Sequence, residues 1–257
     1  VIVDQSEAKI ARGWLRTQAL IAESVPGGVL EQAPSGALMS LTTALIPALN
    51  GVLDISDEPD PSEIAALAAS AAVQATTPWS IQFRVTPSEE IRRIAAKHGL
   101  VRESTYSLMI LHLDEKTAAA PPPSGVRIRV VGADESEIYA DALAAGFEVD
   151  HVVFGNLNSP RVLQAAGVAA YLAEHEDAAV STGLASIVDD CVGLFNIATP
   201  PRYRRRGYAR AMTQTMLHDG YTAGEHIAFL SPSPMGLPLY ESLGFRPALT
   251  FTSFAAP

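Results

Sequence analysis

The chain has 257 residues, 48% hydrophobic and 18% charged, with a formal net charge of −10. Such a composition excludes a disordered chain and describes one large or two small globular domains. The acidic balance argues against a general nucleic-acid partner, since phosphate backbones are bound by basic surfaces.

Apolar positions at Ile10, Trp14, Ala19, Leu20 and Ile21 predict an amphipathic helix over 5–24, ended by Pro26-Gly27-Gly28. Strands over 29–31 and 36–41 are expected to flank Pro34-Ser35-Gly36, with another over 50–55. The loop Asp57-Glu58-Pro59-Asp60-Pro61-Ser62 leads to an alanine-rich helix over 63–74, with Pro61 and Ser62 as favourable first residues. Residues 79–85 alternate as a strand. Thr86-Pro87-Ser88-Glu89-Glu90 opens a helix that runs to His98 and stops at Gly99. Residues 100–113 read as a strand or hairpin.

Ala118-Ala119-Ala120-Pro121-Pro122-Pro123-Ser124-Gly125 is the one low-complexity stretch. Consecutive prolines make a stiff spacer. The domain boundary is therefore expected there, with an N-terminal lobe over 1–117, a linker over 118–125 and a C-terminal lobe over 126–257. Beyond it come a strand over 126–131, a helix over 134–146 with Asp134 as its cap, and a short helix from Ser159-Pro160. Strands over 168–172 and 178–188 form a meander. After the strand 192–199 a helix starts at Tyr208; a short strand 227–230, a helix 237–243 closed by Gly244, and a final hairpin over 245–254 complete the chain.

The single cysteine, Cys191, excludes an internal disulfide, points to a reducing compartment, and reads as a buried structural thiol. No run approaches the roughly 18 apolar residues of a membrane span. Residues 1–7 lack the basic-then-apolar order of a secretory leader. A cytoplasmic protein with no membrane partner is expected. The start at Val1 in place of methionine points to processing or trimming.

The stretch Arg204-Arg205-Arg206-Gly207-Tyr208-Ala209-Arg210 follows the apolar strand 192–199 with a basic glycine turn and a helix start. A helix N-terminus presents free N–H groups and the positive end of the macrodipole. Gly207 lets backbone approach an anion closely, and arginines add charge-assisted hydrogen bonds. The stretch reads as a pyrophosphate cradle; the alternative is a solvated basic face. The two halves also share a tail of strand, proline loop, helix and hairpin, offset by 145 residues, which brings Asn50 within one position of Asn196. In the first half the acidic loop at Asp57-Glu58 replaces the arginines and would repel phosphate. Two copies of one fold are inferred, with the cradle kept in the second alone.

Arg204-x-x-Gly207-x-Ala209, the preceding Ile197-Ala198-Thr199, and Leu239-Tyr240-Glu241-Ser242-Leu243-Gly244-Phe245 together resemble the GCN5-related N-acetyltransferase (GNAT) superfamily. The resemblance covers 125–257 and extends to about 25–113 as a degenerate copy. It implies an α/β fold of two tandem GNAT-like lobes, each a central mixed, mostly antiparallel sheet flanked by helices. It implies an acetyl-CoA-dependent N-acetyltransferase acting on an unidentified small amine by direct attack. By the resemblance, acetyl-CoA would be held by Ile197, Ala198, Thr199, Arg204, Arg205, Arg206, Gly207, Tyr208, Ala209, Arg210 and Ser233, with Tyr240 as general acid to the sulfur. Ser231-Pro232-Ser233-Pro234 would interrupt strand pairing and open room for the pantetheine arm.

Two departures stand out. Ser233 occupies a position that is often Asn, and no carboxylate lies between Cys191 and Thr199 to serve as base. Glu148, Asp150, Glu174, Glu176, His151 and His175 remain candidates beside a water chain or an amine arriving neutral. Neither His151 nor His175 has a partner at metal-ligand spacing, so no metal is expected. The N-terminal lobe would support the fold, shape the acceptor cleft between lobes, or dimerise. The alternative function is a non-catalytic acyl-CoA-binding or sensing protein.

Overall fold

The computed structural model describes residues 5–115 and 122–257. In chain order the elements are α1 (Gln5–Ser24), β1 (Val29–Gln32), β2 (Leu38–Leu41), β3 (Gly51–Asp54), α2 (Pro61–Gln74), β4 (Ser80–Phe83), α3 (Glu89–Lys97), β5 (Arg102–His112) and β6 (Val126–Val130). They continue with α4 (Ser136–Phe147), α5 (Pro160–Leu163), β7 (Val168–His175), β8 (Ala178–Val188), β9 (Cys191–Ala198), α6 (Tyr208–Thr222), β10 (Ile227–Leu230), α7 (Leu237–Ser242) and β11 (Arg246–Ala255). Short 3-10 turns at Pro47–Leu49, Ala133–Glu135, His151–Phe154 and Pro201–Tyr203 link some of them.

Two compact units divide these elements. The first comprises Val1–Gly13, Met109–His151 and Asn158–Pro247. Its strands run in the order β5-β10-β9-β8-β7-β6, antiparallel apart from the parallel pair β9–β10. Met212 and Met216 of α6 are fully buried and press on Gly183 of β8. A Cβ at Gly183 would stand 2.8 Å from the Met216 sulfur, so a larger residue there would push the helix off the sheet. Tyr139 of α4 is also fully buried, and its hydroxyl donates to the Gly183 carbonyl at 3.1 Å. A buried phenol needs such a partner to offset its lost hydration.

The second unit comprises Trp14–Leu108, Val152–Leu157 and Ala248–Pro257. Its strands run β1-β2-β3-β4-β11, antiparallel apart from the parallel pair β3–β4. Ile64, Ala68 and Ala71 of α2 and Ile91 and Ala95 of α3 join Val52, Ile81 and Phe83 in its core.

Each unit thus holds a mixed, mostly antiparallel set of strands with helices, including one parallel pair joined by a helix: β3-α2-β4 in one, β9-α6-β10 in the other. The strand that flanks each pair comes from the other half of the sequence. Residues 109–112 of β5 pair with β10, and residues 252–255 of β11 pair with β4. Two separate lobes, each with a sheet built from one contiguous half, are therefore not what the strands form. Of the expected linker 118–125, residues 118–121 lie outside the described residues. At its end Val126 N donates to Pro123 O at 3.1 Å.

Two local expectations are corrected. The last segment is one ten-residue strand, β11, and not a hairpin; no Gly or Asn pair inside it favours a tight turn. Asp134 does not cap the helix that follows it. The Glu135 carboxylate accepts from Gly132 N at 3.0 Å instead, and a 3-10 turn precedes α4. Arg129 binds both Glu135 and Glu174, and holds Glu135 down to about 2. Cys191 is buried, and burial pushes its thiol up to about 12, as a structural thiol should be. Among the described residues no helix is long and apolar enough to cross a membrane, and no group of three or more His, Cys, Asp or Glu could hold a metal.

The borrowed strand leads to a test. Met109, Leu111 and Leu113 are buried in the core of the first unit. A fragment beginning at Val126 lacks all three along with the partner of β10. It should show no cooperative urea transition by circular dichroism, whereas the full chain should unfold cooperatively.

Candidate active site

The site is a fork in the strands of the first unit. β10 pairs with β9 only at Ala228↔Val192 and Phe229↔Gly193, then ends at Leu230. β9 continues to Ala198 without it. A bulge sharpens the separation. Thr182 of β8 faces Ala198 and Leu184 faces Phe195, so β9 uses one residue more than β8 over this stretch. Asn196 takes up the extra length at φ 52°. Asn is among the few residues that tolerate this left-handed conformation. The Thr182 hydroxyl fixes the Asn196 carbonyl at 2.7 Å, and the Ser181 hydroxyl fixes the Ala198 carbonyl at 2.8 Å.

The space opened by the fork is a cleft of about 880 Å³. One wall carries Ile197, Ala198 and Thr199 with the end of α4; the other carries Ser233, Pro234 and the start of α7. The N-terminus of α6 forms its floor. Gly207 precedes that helix at φ 89°, and no side chain caps it. The first intrahelical bond is Ala211 N to Gly207 O at 3.0 Å. The N–H groups of Tyr208, Ala209 and Arg210 therefore have no backbone partner within the helix. Arg205 is also left-handed, at φ 63°. Left-handed residues separated by a single residue of negative φ turn successive N–H groups toward one side, the geometry of an anion nest.

Ile197, Ala198, Thr199, Arg204, Arg205, Gly207, Tyr208, Ala209, Arg210, Ser233 and Tyr240 all border this one cleft. Their side chains do not all serve it as the sequence implies. Arg204 is not a free phosphate ligand. Its guanidinium donates to Thr199 O at 3.0 Å, to Gly146 O at 3.0 Å and to Glu148 at 2.6 Å. It ties the end of α4 to the end of β9. Gly146 permits the approach: a Cβ there would lie 2.6 Å from the Ala198 Cβ. The Tyr208 ring is buried in the core, so only its backbone faces the cleft as a donor. Arg206 is outside the lining and stands over the Tyr203 ring, 5.9 Å from its centroid. The Ser233 hydroxyl accepts from Gly236 N at 3.1 Å and shapes the turn into α7. Arg210 donates to Ser242 at 2.6 Å, joining α6 to α7.

Tyr240 is buried, with its ring edge on Phe245 at 6.0 Å, and among the described residues its hydroxyl has no hydrogen-bond partner. Burial pushes the hydroxyl up to about 12, so it keeps its proton at neutral pH. Of the candidate bases only Glu148 borders the cleft, and Arg204 holds it. Glu174 is bound by Arg127 and Arg129, and His151 by Asp141. The His175 ring lies against Tyr208. Gly146 and Phe147 are not expected at the site from the sequence, and Glu148 only as one candidate base among several. They are far from the cradle in sequence, and only the packing of α4 on β9 brings them in.

Residues 127–248 match the family model of the acetyltransferase (GNAT) domain. No curated protein matches the chain. Among solved structures, a GCN5-related N-acetyltransferase from Kribbella flavida is similar at TM-score 0.66 and 20% identity, covering 97% of this chain and 95% of that one. A functionally unknown conserved protein from Staphylococcus epidermidis is similar at TM-score 0.62 and 12% identity, covering 89% and 94%. A GCN5-related N-acetyltransferase from Sphaerobacter thermophilus is similar at TM-score 0.54 and 16% identity, covering 90% and 81%. The match places an acetyltransferase (GNAT) domain within residues 127–248, and the solved structures share the fold of the chain.

The two neighbouring arginines should behave differently. Arg204→Ala removes three hydrogen bonds, one of them to a carboxylate, and should cost about 1–3 kcal/mol in urea unfolding. Arg205→Ala removes none that the structure shows and should stay within about 0.5 kcal/mol.

Proposed function

We propose that the first unit binds acetyl-CoA in the fork and transfers its acetyl group to the amine of a small molecule. The observation that carries this reading is the convergence of three features on one cleft: a strand edge freed of its neighbour, an uncapped helix N-terminus, and a buried protonated tyrosine. Acetyl-CoA brings an acetyl thioester, a peptide-like pantetheine arm and a pyrophosphate. The free edge of β9 at Ile197–Thr199 would pair with the arm as a further strand would. The N–H groups at Tyr208, Ala209 and Arg210 would hold the pyrophosphate, with Arg205 adding charge. A backbone N–H near Ala198 or Thr199 would polarise the acetyl carbonyl. Nitrogen attacks that carbonyl carbon as the C–S bond breaks, and Tyr240 gives its proton to the departing sulfur. With Glu148 engaged by Arg204, an amine that arrives as ammonium first gives its extra proton to water; on attack the nitrogen sheds one further proton to water, and Tyr240 regains from water the proton it gave to sulfur.

The chain halves 1–117 and 126–257 are read as related copies of one domain, joined at 118–125, with only the second half supplying the cradle. Two features support the loss of donor binding in the second unit. β3 and β4 pair to their ends, Asp54 opposite Phe83, and Arg84 continues the contact by donating to Asp54 O and Ile55 O. The N-terminus of α2 is closed by Asp60, whose carboxylate accepts from Ser62 N at 2.8 Å and Glu63 N at 3.3 Å. A carboxylate stands where α6 offers open donors.

The reading is tested by thiol release from acetyl-CoA across a panel of small amines. Turnover on at least one amine, with Tyr240→Phe lowering kcat by about a hundredfold or more, is the expected result. Saturable acetyl-CoA binding with no turnover on any amine would instead leave an acyl-CoA sensor.

Calorimetry with acetyl-CoA tests the cradle separately. Gly207→Glu and Ala209→Glu should each abolish binding by placing a negative charge at the nest. Ala209 has ordinary helical backbone, so its variant is free of the strain a side chain meets at φ 89°. Asp57→Ala/Glu58→Ala should leave affinity unchanged; a large loss would place the site in the wrong unit.

A further inference from the structure

Five of the eighteen Lys and Arg residues fall between positions 202 and 210. Arg204 and Arg210 are bonded to neighbouring elements, as described above. Among the described residues Arg202, Arg205 and Arg206 have no carboxylate partner, although the chain carries 28 Asp and Glu. On a protein of net charge −10, three adjacent cations left without carboxylates form a local positive field suited to an anion.

Arg205 faces the cleft; Arg202 and Arg206 do not. Both of the latter lie against one aromatic ring that does border it. The guanidinium of Arg202 is 4.8 Å from the Tyr203 ring centroid and that of Arg206 is 5.9 Å away. Cation–π contacts narrow the rotamers of two long exposed side chains, so less entropy is lost when they grip a ligand. Tyr203 itself is held at the close of a 3-10 turn, its N–H bonded to Pro200 O at 2.8 Å. The result is two guanidiniums set about one ring that borders the cleft, close in the chain to the start of α6.

We propose that Arg202 and Arg206, braced on Tyr203, bind a phosphate monoester at the outer lip and so select a donor whose nucleoside carries a 3′-phosphate. This rests on the acetyl-CoA reading above. CoA has two separate anionic groups, the pyrophosphate and the ribose 3′-phosphate. With the thioester in the fork and the pyrophosphate on the α6 N–H groups, the nucleoside end is left at the cleft mouth. The helix donors are then occupied, and a second phosphate needs a second set. A guanidinium pair supplies charged, forked donors of the kind that suit a monoester.

The test compares CoA with dephospho-CoA, which lacks only the 3′-phosphate, by calorimetry at about 50 mM salt. Wild type should prefer CoA on the order of tenfold, a difference expected for charge-assisted contacts at an exposed site. The preference should shrink at about 500 mM salt through screening. Arg202→Ala/Arg206→Ala should reduce the ratio to below about threefold. Tyr203→Phe should keep the wild-type ratio, because the ring remains, and Tyr203→Leu should lower it. Equal binding of both ligands by wild type, or an undiminished preference in the double variant, overturns the proposal while leaving the donor site standing. Failure of wild type to bind either ligand overturns the acetyl-CoA reading and this proposal with it.

Discussion

The site depends on how early β10 leaves β9. Parallel strands normally satisfy each other's backbone groups along their shared length, and an unpaired buried edge is costly. Here pairing covers two positions and then stops. The bulge at Asn196 carries β9 away, and the Ser-Pro repeat after Leu230 gives the neighbouring chain fewer donors with which to follow. On the opposite edge, Ser181 and Thr182 of β8 bind the carbonyls of Ala198 and Asn196 where the bulge interrupts the β8–β9 ladder. What remains open is a strand edge inside a folded core, the feature a peptide-like arm can use.

The same frame in the second unit shows what happens when that departure is missing. The β3–β4 pair is joined by a helix just as β9–β10 is, yet it stays zipped and its helix is capped by a carboxylate. Asn50, one position out of register with Asn196, does a different task. Its buried side chain bonds Thr42, Ala44, Ile46 and Pro78 and holds loops together. Similar element order thus yields a forked strand pair with an uncapped helix in one unit and a zipped pair with a capped helix in the other. The difference lies in a few residues at the strand ends and helix caps.

Most elements were legible along the chain because their signals are local. Gly99 and Gly244 end helices, Ser88 caps α3, and residues 126–130 alternate as a strand. The misread hairpin at the C-terminus had no turn signal, only a hydrophobic segment long enough to suggest two strands. The glycine turn at the start of α6 was legible for the same local reason, since strand, turn and helix are contiguous. The division of labour among its arginines was not. Sequence spacing cannot tell that Arg204 turns inward to Thr199, Gly146 and Glu148 while Arg206 lies on Tyr203.

By itself, the sequence determined most of the elements, the basic glycine turn and the Tyr240 helix. Each of these is carried by residues close in the chain, where periodicity, capping and turn chemistry act. The tertiary structure decided which strands complete each unit, where β9 and β10 part, and which cations stay free. Those outcomes depend on contacts between residues distant in the chain: β5 with β10, β11 with β4, α4 with the end of β9. Packing and long-range hydrogen bonds set them, and no short window of sequence records either.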